Sequence, residues 1–197
     1  LSTEHSLNNL AAMPTRDPEA KRRRLLDAAR AEFAAHGIAG ARVDRIAKRA
    51  GCSAGLVYTY FGGKDELFDA VFADVVDGAV TEVPITPDDI PGYAGRLFDA
   101  HERHPEVARV VGWYRLERGT ALPSSAGAAT GAKVAAVRAA QEAGTVSRRF
   151  DAEQLIALVL TLSAMWTAAS VEAGSDAADR AVRRATVVDA VRRLVEP

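Results

Sequence analysis

Between Arg42 and Lys64 the chain gathers groups suited to holding a polyanion and touching the edges of bases. The stretch reads RVDRIAKRAGCSAGLVYTYFGGKDEL. With Val57 and Phe61 turned inward, Ala54, Gly55, Leu56, Tyr58 and Thr59 face out from a short helix. Thr59 can hydrogen-bond a base edge or a phosphate, whereas Leu56 offers an apolar contact such as a thymine methyl. The Tyr58 hydroxyl can reach a phosphate oxygen; that of Tyr60 can do the same unless its ring belongs to the core. Ala54 and Gly55 are small enough for close approach. Gly55 inside a helix costs about 1 kcal/mol relative to Ala, which makes sense if a Cβ would collide with nucleic acid, although tolerated weakness is the alternative. Lys64 stands at a helix start, against the sign the helix dipole prefers, so either a phosphate favours it there or it is an ordinary solvated lysine. Arg42, at the head of the preceding helix, is a further phosphate candidate.

The elements that must position these groups are helical. After Asp17-Pro18-Glu19, Leu25, Leu26, Ala29 and Phe33 predict a helix over roughly 18–36, stopped by Gly37. Val43, Ile46, Ala47 and Ala50 form a core-facing stripe that ends at Gly51. Ser53 is the expected cap of the next helix, and Gly62-Gly63 ends it. Helix, turn at Gly51-Cys52 and second helix read together as a helix-turn-helix, whose second helix enters the major groove in such motifs. A fourth helix runs from Lys64 to about Ala79 on Leu67, Phe68, Val71, Phe72 and Val75. Beyond Pro87, helices are expected near 88–103, 105–118, 125–143, 151–173 and 176–195, with no convincing strand. The fold class is therefore all-α. Residues 1–14 read as a flexible tail, 15–64 as the helix-turn-helix domain and 65–197 as a larger helical bundle.

Charge divides along the same line. Eleven Lys or Arg face five Asp or Glu between Pro14 and Lys64, against fourteen and twenty from Asp65 onward. A basic first quarter on an acidic remainder suits one polyanion-binding lobe joined to a lobe with another task. Cys52 is the single cysteine, which excludes an intramolecular disulfide framework and fits a reducing cytoplasm. No apolar run is long enough for a membrane span, and the first residues lack the pattern of a signal peptide.

In the larger lobe Phe98, His101, Val110, Trp113, Leu116, Met165 and Trp166 could line an apolar cavity, with plain core packing as the alternative. HERHP places His101 and His104 near Glu102 and Glu106, but Pro105 separates two helices and no third ligand lies nearby, so no metal or cofactor is expected. Nucleophile-elbow, P-loop and dinucleotide-binding patterns are absent, which argues against an enzyme. A nonspecific architectural protein is the remaining competitor, and it would bind without sequence preference.

The order of a long amphipathic helix, HG, a short IAxxAG helix, SxGxxYxYF and GGKDEL closely resembles the tetracycline-repressor (TetR) family over roughly residues 18–75. The resemblance implies a dimeric regulator that reads an inverted-repeat duplex. Matched by position, Gly55, Tyr58, Thr59, Tyr60 and Lys64 are its DNA-facing sites. Dimerisation through the last two helices is implied, placing Leu158, Leu162, Ala181, Ala185, Val188 and Val191 at the interface. A largely apolar small-molecule effector that releases a repressor from its palindromic operator is implied too, with activation as the alternative. Two positions depart from the family: Ala41 replaces a frequent hydroxyl residue, leaving Arg42 to compensate, and Leu56 replaces a position that is often polar.

Overall fold

The computed structural model of the chain describes residues 17–119, 124–167 and 179–197. These residues form helices α1 (Pro18–Gly40), α2 (Val43–Ala50), α3 (Ala54–Phe61), α4 (Lys64–Glu82), α5 (Ile90–Arg103), α6 (Pro105–Arg118), α7 (Ser124–Glu142), α8 (Ala152–Ala164) and α9 (Arg180–Val195), with a 3-10 turn at Pro87–Asp89. Several starts are fixed by local chemistry. The Asp17 carboxylate accepts the Glu19 N–H at 2.9 Å ahead of Pro18, Asp89 does the same for Gly92 at 2.9 Å, and Asp151 for Gln154 at 2.8 Å. Each satisfies a backbone donor that the first helical turn leaves without a partner.

Two cores result. The first is built on Leu25, Phe33, Ile46, Val57, Leu67 and Phe68 from α1 to α4, and it takes in Val110 and Tyr114 of α6. Phe33 meets Phe68 edge-on at 5.0 Å, and the Tyr114 ring lies 4.2 Å from that of Phe72. The second core joins α5, α7, α8 and α9 through residues including Tyr93, Phe98, Val137, Leu155, Ile156 and Val187. Phe98 packs edge-on against Trp166 at 6.3 Å.

Three expectations need correction. The helix expected over 151–173 ends at Ala164 and passes into a turn over residues 165–167; residues 168–178 lie outside the described set. There the last turn tightens, the Met165 N–H reaching the Leu162 carbonyl at 3.4 Å. On α9 the inward face is Arg183, Val187, Val191 and Val195, so one residue expected at the interface, Val191, belongs to the core of its own chain. The arginines turn inward because α5 opposes them with carboxylates: Arg180 and Arg184 pair with Asp99, and Arg183 with Glu102. Val191 is 0% exposed within its own chain and offers no surface to a second copy. Ser53, finally, has an extended backbone at the start of α3 but makes no side-chain capping bond.

Candidate nucleic-acid interface

The recognition unit is built around Gly51. Its φ of 68° and ψ of 39° place it in the left-handed region, which a residue with a Cβ adopts reluctantly. That conformation lets the Gly51 N–H reach the Lys48 carbonyl at 3.2 Å and the Cys52 N–H reach that of Ala47 at 3.0 Å. The paired bonds close α2 in a Schellman turn. Cys52 is half-buried beneath the turn, and α3 restarts with Val57 fully buried as its anchor.

That anchoring decides what α3 shows to solvent. Gly55 and Thr59 are exposed and Tyr58 is 57% exposed, while Ala54 and Leu56 are half-buried. Leu56, Tyr60 and Phe61 pack on the first core, and the Arg22 guanidinium sits over the Phe61 ring at 5.4 Å. The Thr59 hydroxyl donates to the Gly55 carbonyl at 3.0 Å and would exchange that bond for any other. A Cβ on Gly55 would meet nothing nearer than the Ser53 Oγ at 3.9 Å. Packing within the chain therefore gives no reason for glycine there.

Lys64 has a local partner that the sequence did not reveal. Its Nζ donates to the carbonyls of Ala39 and Ala41 at 3.4 and 3.3 Å, which accounts for a cation at the start of α4 without a bound phosphate. The other face of the same segment is held from α6. Glu117 accepts the Ile38 N–H at 2.8 Å on Oε1 and the Ala39 N–H at 3.0 Å on Oε2. The corner exists because Gly37 adopts φ 67° and ψ −175° inside α1, a region essentially confined to glycine. A Cβ on Gly37 would lie 2.6 Å from Glu117 Oε1 and 2.9 Å from Trp113 Cε3. Arg118 completes this end of α6 by pairing with Asp65 of α4 at 2.8 Å.

Glu32 supplies the cap that Ala41 lacks. Its carboxylate, largely buried, accepts the Arg42 N–H at 3.1 Å and the Arg45 Nε at 2.6 Å. The Arg42 guanidinium itself pairs with Asp44. Lys48 and Arg49, in the last turn of α2, are exposed and have no ion-pair partner among the described residues. The sequence reading counted these two only as charge. Glu32 and Glu117 escaped it because each acts on backbone groups distant along the chain.

The seven candidate effector residues do not share one cavity. Val110 is buried in the first core and Trp113 lies on Gly37, its Nε1 donating to the Ala34 carbonyl at 3.4 Å. Leu116 is 77% exposed, on the outer side of α6. Phe98 and Trp166 touch in the second core, Met165 is half-buried in the turn after α8, and His101 alone of the seven lines a cleft between α1, α4, α5 and α6. Among the proposed interface residues, Ala181 and Ala185 are exposed, and Leu158, Leu162 and Val188 are half-buried. Val182, not singled out in the sequence, is 55% exposed beside them.

Comparison with known proteins agrees with this architecture. Residues 25–71 match the family described as bacterial regulatory proteins, tetR family, and residues 89–193 match the tetracyclin repressor-like C-terminal domain. The chain is 41% identical over 193 residues to the HTH-type transcriptional repressor SCO4008 of Streptomyces coelicolor, covering 93% of this chain and all of the relative. Among solved structures, the putative transcriptional regulator SCO4942 from Streptomyces coelicolor superimposes with a TM-score of 0.76 at 34% identity, covering 89% of this chain and 98% of that one. A putative TetR-family regulator from Rhodococcus sp. shares the fold with a TM-score of 0.63 at 24% identity, covering 90% of this chain and all of its own. No helix among the described residues is long and apolar enough to cross a membrane.

Proposed function

The chain belongs to the tetracycline-repressor family of DNA-binding transcriptional regulators, and on that premise we propose that it is a homodimeric repressor released from an inverted-repeat operator by a small-molecule effector. The observation that carries this reading is the outward face of α3. It presents Gly55, Tyr58 and Thr59, and nothing inside the chain explains the glycine. Repression rather than activation is favoured by the full-length likeness to a protein described as a repressor.

In this reading Gly55 and Ala54 let the backbone of α3 approach the major groove, Thr59 and Leu56 touch base edges, and Tyr58, Tyr60, Arg42 and Lys64 hold phosphates. Lys64 would trade its two carbonyl contacts for a phosphate or share itself between them. Lys48 and Arg49 join the phosphate-binding set as exposed cations without partners. Dimerisation uses the outward face of α8 and α9, through Leu158, Leu162, Ala181, Ala185 and Val188, with Val182 added and Val191 withdrawn. A two-fold axis there would set two α3 helices about one turn of duplex, roughly 34–36 Å, or a small multiple apart. The effector acts by linkage: a ligand that prefers the conformation with the wrong α3 spacing lowers DNA affinity by the factor by which DNA lowers its own.

Selection of bound duplexes from a random library, at near-physiological salt, tests the reading. An enriched inverted repeat is the expected outcome. Salt-sensitive binding with no enriched motif would assign the protein to nonspecific architecture instead.

A further inference from the structure

The break at Gly37 frees both ends of one helical hydrogen bond. In an unbroken α1 the Ile38 N–H would donate to the Ala34 carbonyl, one helical turn back. Gly37 leaves the helical region at φ 67° and ψ −175°, and α6 takes over the two ends of that bond. Trp113 Nε1 donates to the Ala34 carbonyl at 3.4 Å, and Glu117 Oε1 accepts the Ile38 N–H at 2.8 Å. Glu117 Oε2 then accepts the next donor along, the Ala39 N–H, at 3.0 Å. Side chains that enter a helical ladder in this way hold it kinked. Trp113 and Glu117 share one face of α6, one turn apart.

The other ties between α6 and the recognition lobe fix separation more than direction. Val110 and Tyr114 enter the first core, and apolar packing is non-directional. Arg118 reaches Asp65 at 2.8 Å and Asp69 at 3.7 Å, both on exposed aspartates, and a surface pair of long side chains holds its geometry loosely. Trp113 offers a single donor. Glu117 is bidentate, one oxygen on each of two successive backbone N–H groups, so it fixes an angle as well as a distance. Gly37 makes room for it, since a Cβ there would stand 2.6 Å from Oε1. Beyond Ala39 the corner is tied to its own lobe and to the start of α4. Arg45 donates to the Gly40 carbonyl, Lys64 to those of Ala39 and Ala41, and Glu32 accepts the Arg42 N–H. A change of angle at Ile38 and Ala39 is therefore passed on to α2 and α3.

We propose that Glu117 is a positioning residue for operator spacing: it sets the angle at which the recognition lobe leaves α6, and with it the number of base pairs between half-sites that two copies accept. The inference rests on the reading of the chain as a dimer on an inverted repeat. A two-fold axis doubles any displacement of one α3 along the duplex, and a base pair is a step of only about 3.4 Å. Base choice within each half-site stays with the outward face of α3, so Glu117 governs the spacer and not the sequence.

The test builds the half-site of the selected operator into a series of duplexes, with the selected spacer and with spacers one or two base pairs shorter or longer. Affinities for the series, and for a duplex with a single half-site, are measured at one salt concentration with the purified full-length protein and four variants. Glu117→Ala removes both acceptors, and Glu117→Gln keeps the side-chain length and one acceptor. Arg118→Gln cuts the neighbouring ion pair, and Val137→Ala loosens the second core away from α6. Melting temperatures report folding, and Glu117→Gln carries the test if Glu117→Ala does not fold. In the Glu117 variants the ratio of affinities for the best and next-best spacer should fall about tenfold, as for the loss of one charge-assisted bond, or the best spacer should change. Affinity for the single half-site should stay within about twofold, and Arg118→Gln and Val137→Ala should keep the original ranking. An unchanged ranking and ratio in the Glu117 variants would overturn the inference. So would equal losses on the single half-site and the full operator, or the same change of spacer in Arg118→Gln or Val137→Ala, because general loosening of the fold would then be the cause. Failure of the unaltered protein to select any inverted repeat would instead remove the dimeric-regulator reading, and the inference with it.

Discussion

Replacing Gly37 with alanine should be among the most damaging single-methyl changes this chain can suffer, and the structure says why. A backbone at φ 67° and ψ −175° costs a non-glycine residue about 1–3 kcal/mol. The new Cβ would also stand 2.6 Å from Glu117 Oε1, so the carboxylate must move off the Ile38 and Ala39 N–H groups. Losing charged hydrogen bonds of that kind costs about 1.5–3 kcal/mol each when buried, and the lower end applies to this half-exposed pair. Together the effects come to about 4–6 kcal/mol, a large part of the 5–15 kcal/mol by which domains are stable. Urea unfolding at fixed protein concentration measures it, since dimer stability depends on concentration. The cycle with Glu117→Ala isolates the collision: with the oxygen gone, Gly37→Ala should cost at least about 1 kcal/mol less than it does alone. A cost under about 0.5 kcal/mol for Gly37→Ala, or a cycle additive within about 0.3–0.5 kcal/mol, would refute the reasoning.

Gly55→Ala separates fold from function in the opposite sense: it should stabilise α3 by up to about 1 kcal/mol while operator affinity in a filter or fluorescence assay falls, and unchanged affinity would leave the glycine unexplained. Lys64→Ala should weaken binding to all duplexes and lower the salt slope by about 1, whereas Thr59→Val should change the selected base at one position of each half-site; equal effects on both properties would contradict the division of roles. Because burial holds the folded pKa of His101 below the ordinary histidine value, the unfolded chain binds the proton more readily, and stability should be lost as pH falls below about 6.5. Arg30, Asp74, Glu82 and His104 line the same cleft, so the test is the difference in urea midpoints between the unaltered protein and His101→Gln at pH 7.5 and 5.5, which should shrink in the variant. Val191→Ala should destabilise each subunit by about 1–2 kcal/mol through the cavity it leaves, while Ala185→Glu should split dimers in sedimentation without that loss.

How far the sequence could be read depends on whether the deciding interaction is local. Gly51 and the run IAKRAGCS specify the end of α2 through bonds spanning a few residues, and the sequence reading placed that turn correctly. Asp17-Pro18 and Asp151 announce their helices for the same reason. Glu117 carries no such signal. It is one charged residue on a helix, and its partners at Ile38 and Ala39 lie 79 and 78 positions away. Trp113 and Leu116 were grouped with the effector candidates by residue type, but the roll of α6 is set by Val110 and Tyr114 entering the first core, which puts Trp113 on Gly37 and Leu116 in solvent. Val191 was placed at the interface for a related reason, since contacts far along the chain decide the inward face of α9. Its valines permit two inward faces, and Asp99 and Glu102 on α5 choose between them by drawing in the arginines.

Glu117 and Lys64 grip residues 38–41 by backbone N–H and carbonyl groups alone. Such a joint recognises the path of the chain and is indifferent to its spelling. A recognition lobe from another regulator could be grafted ahead of α4 and be seized in the same way, provided it delivers a glycine corner and a short extended exit where this chain has Gly37 to Ala41. Those backbone bonds would carry over to a grafted lobe unchanged, whereas the packing of Val110 and Tyr114 on the first core would have to be matched side chain by side chain.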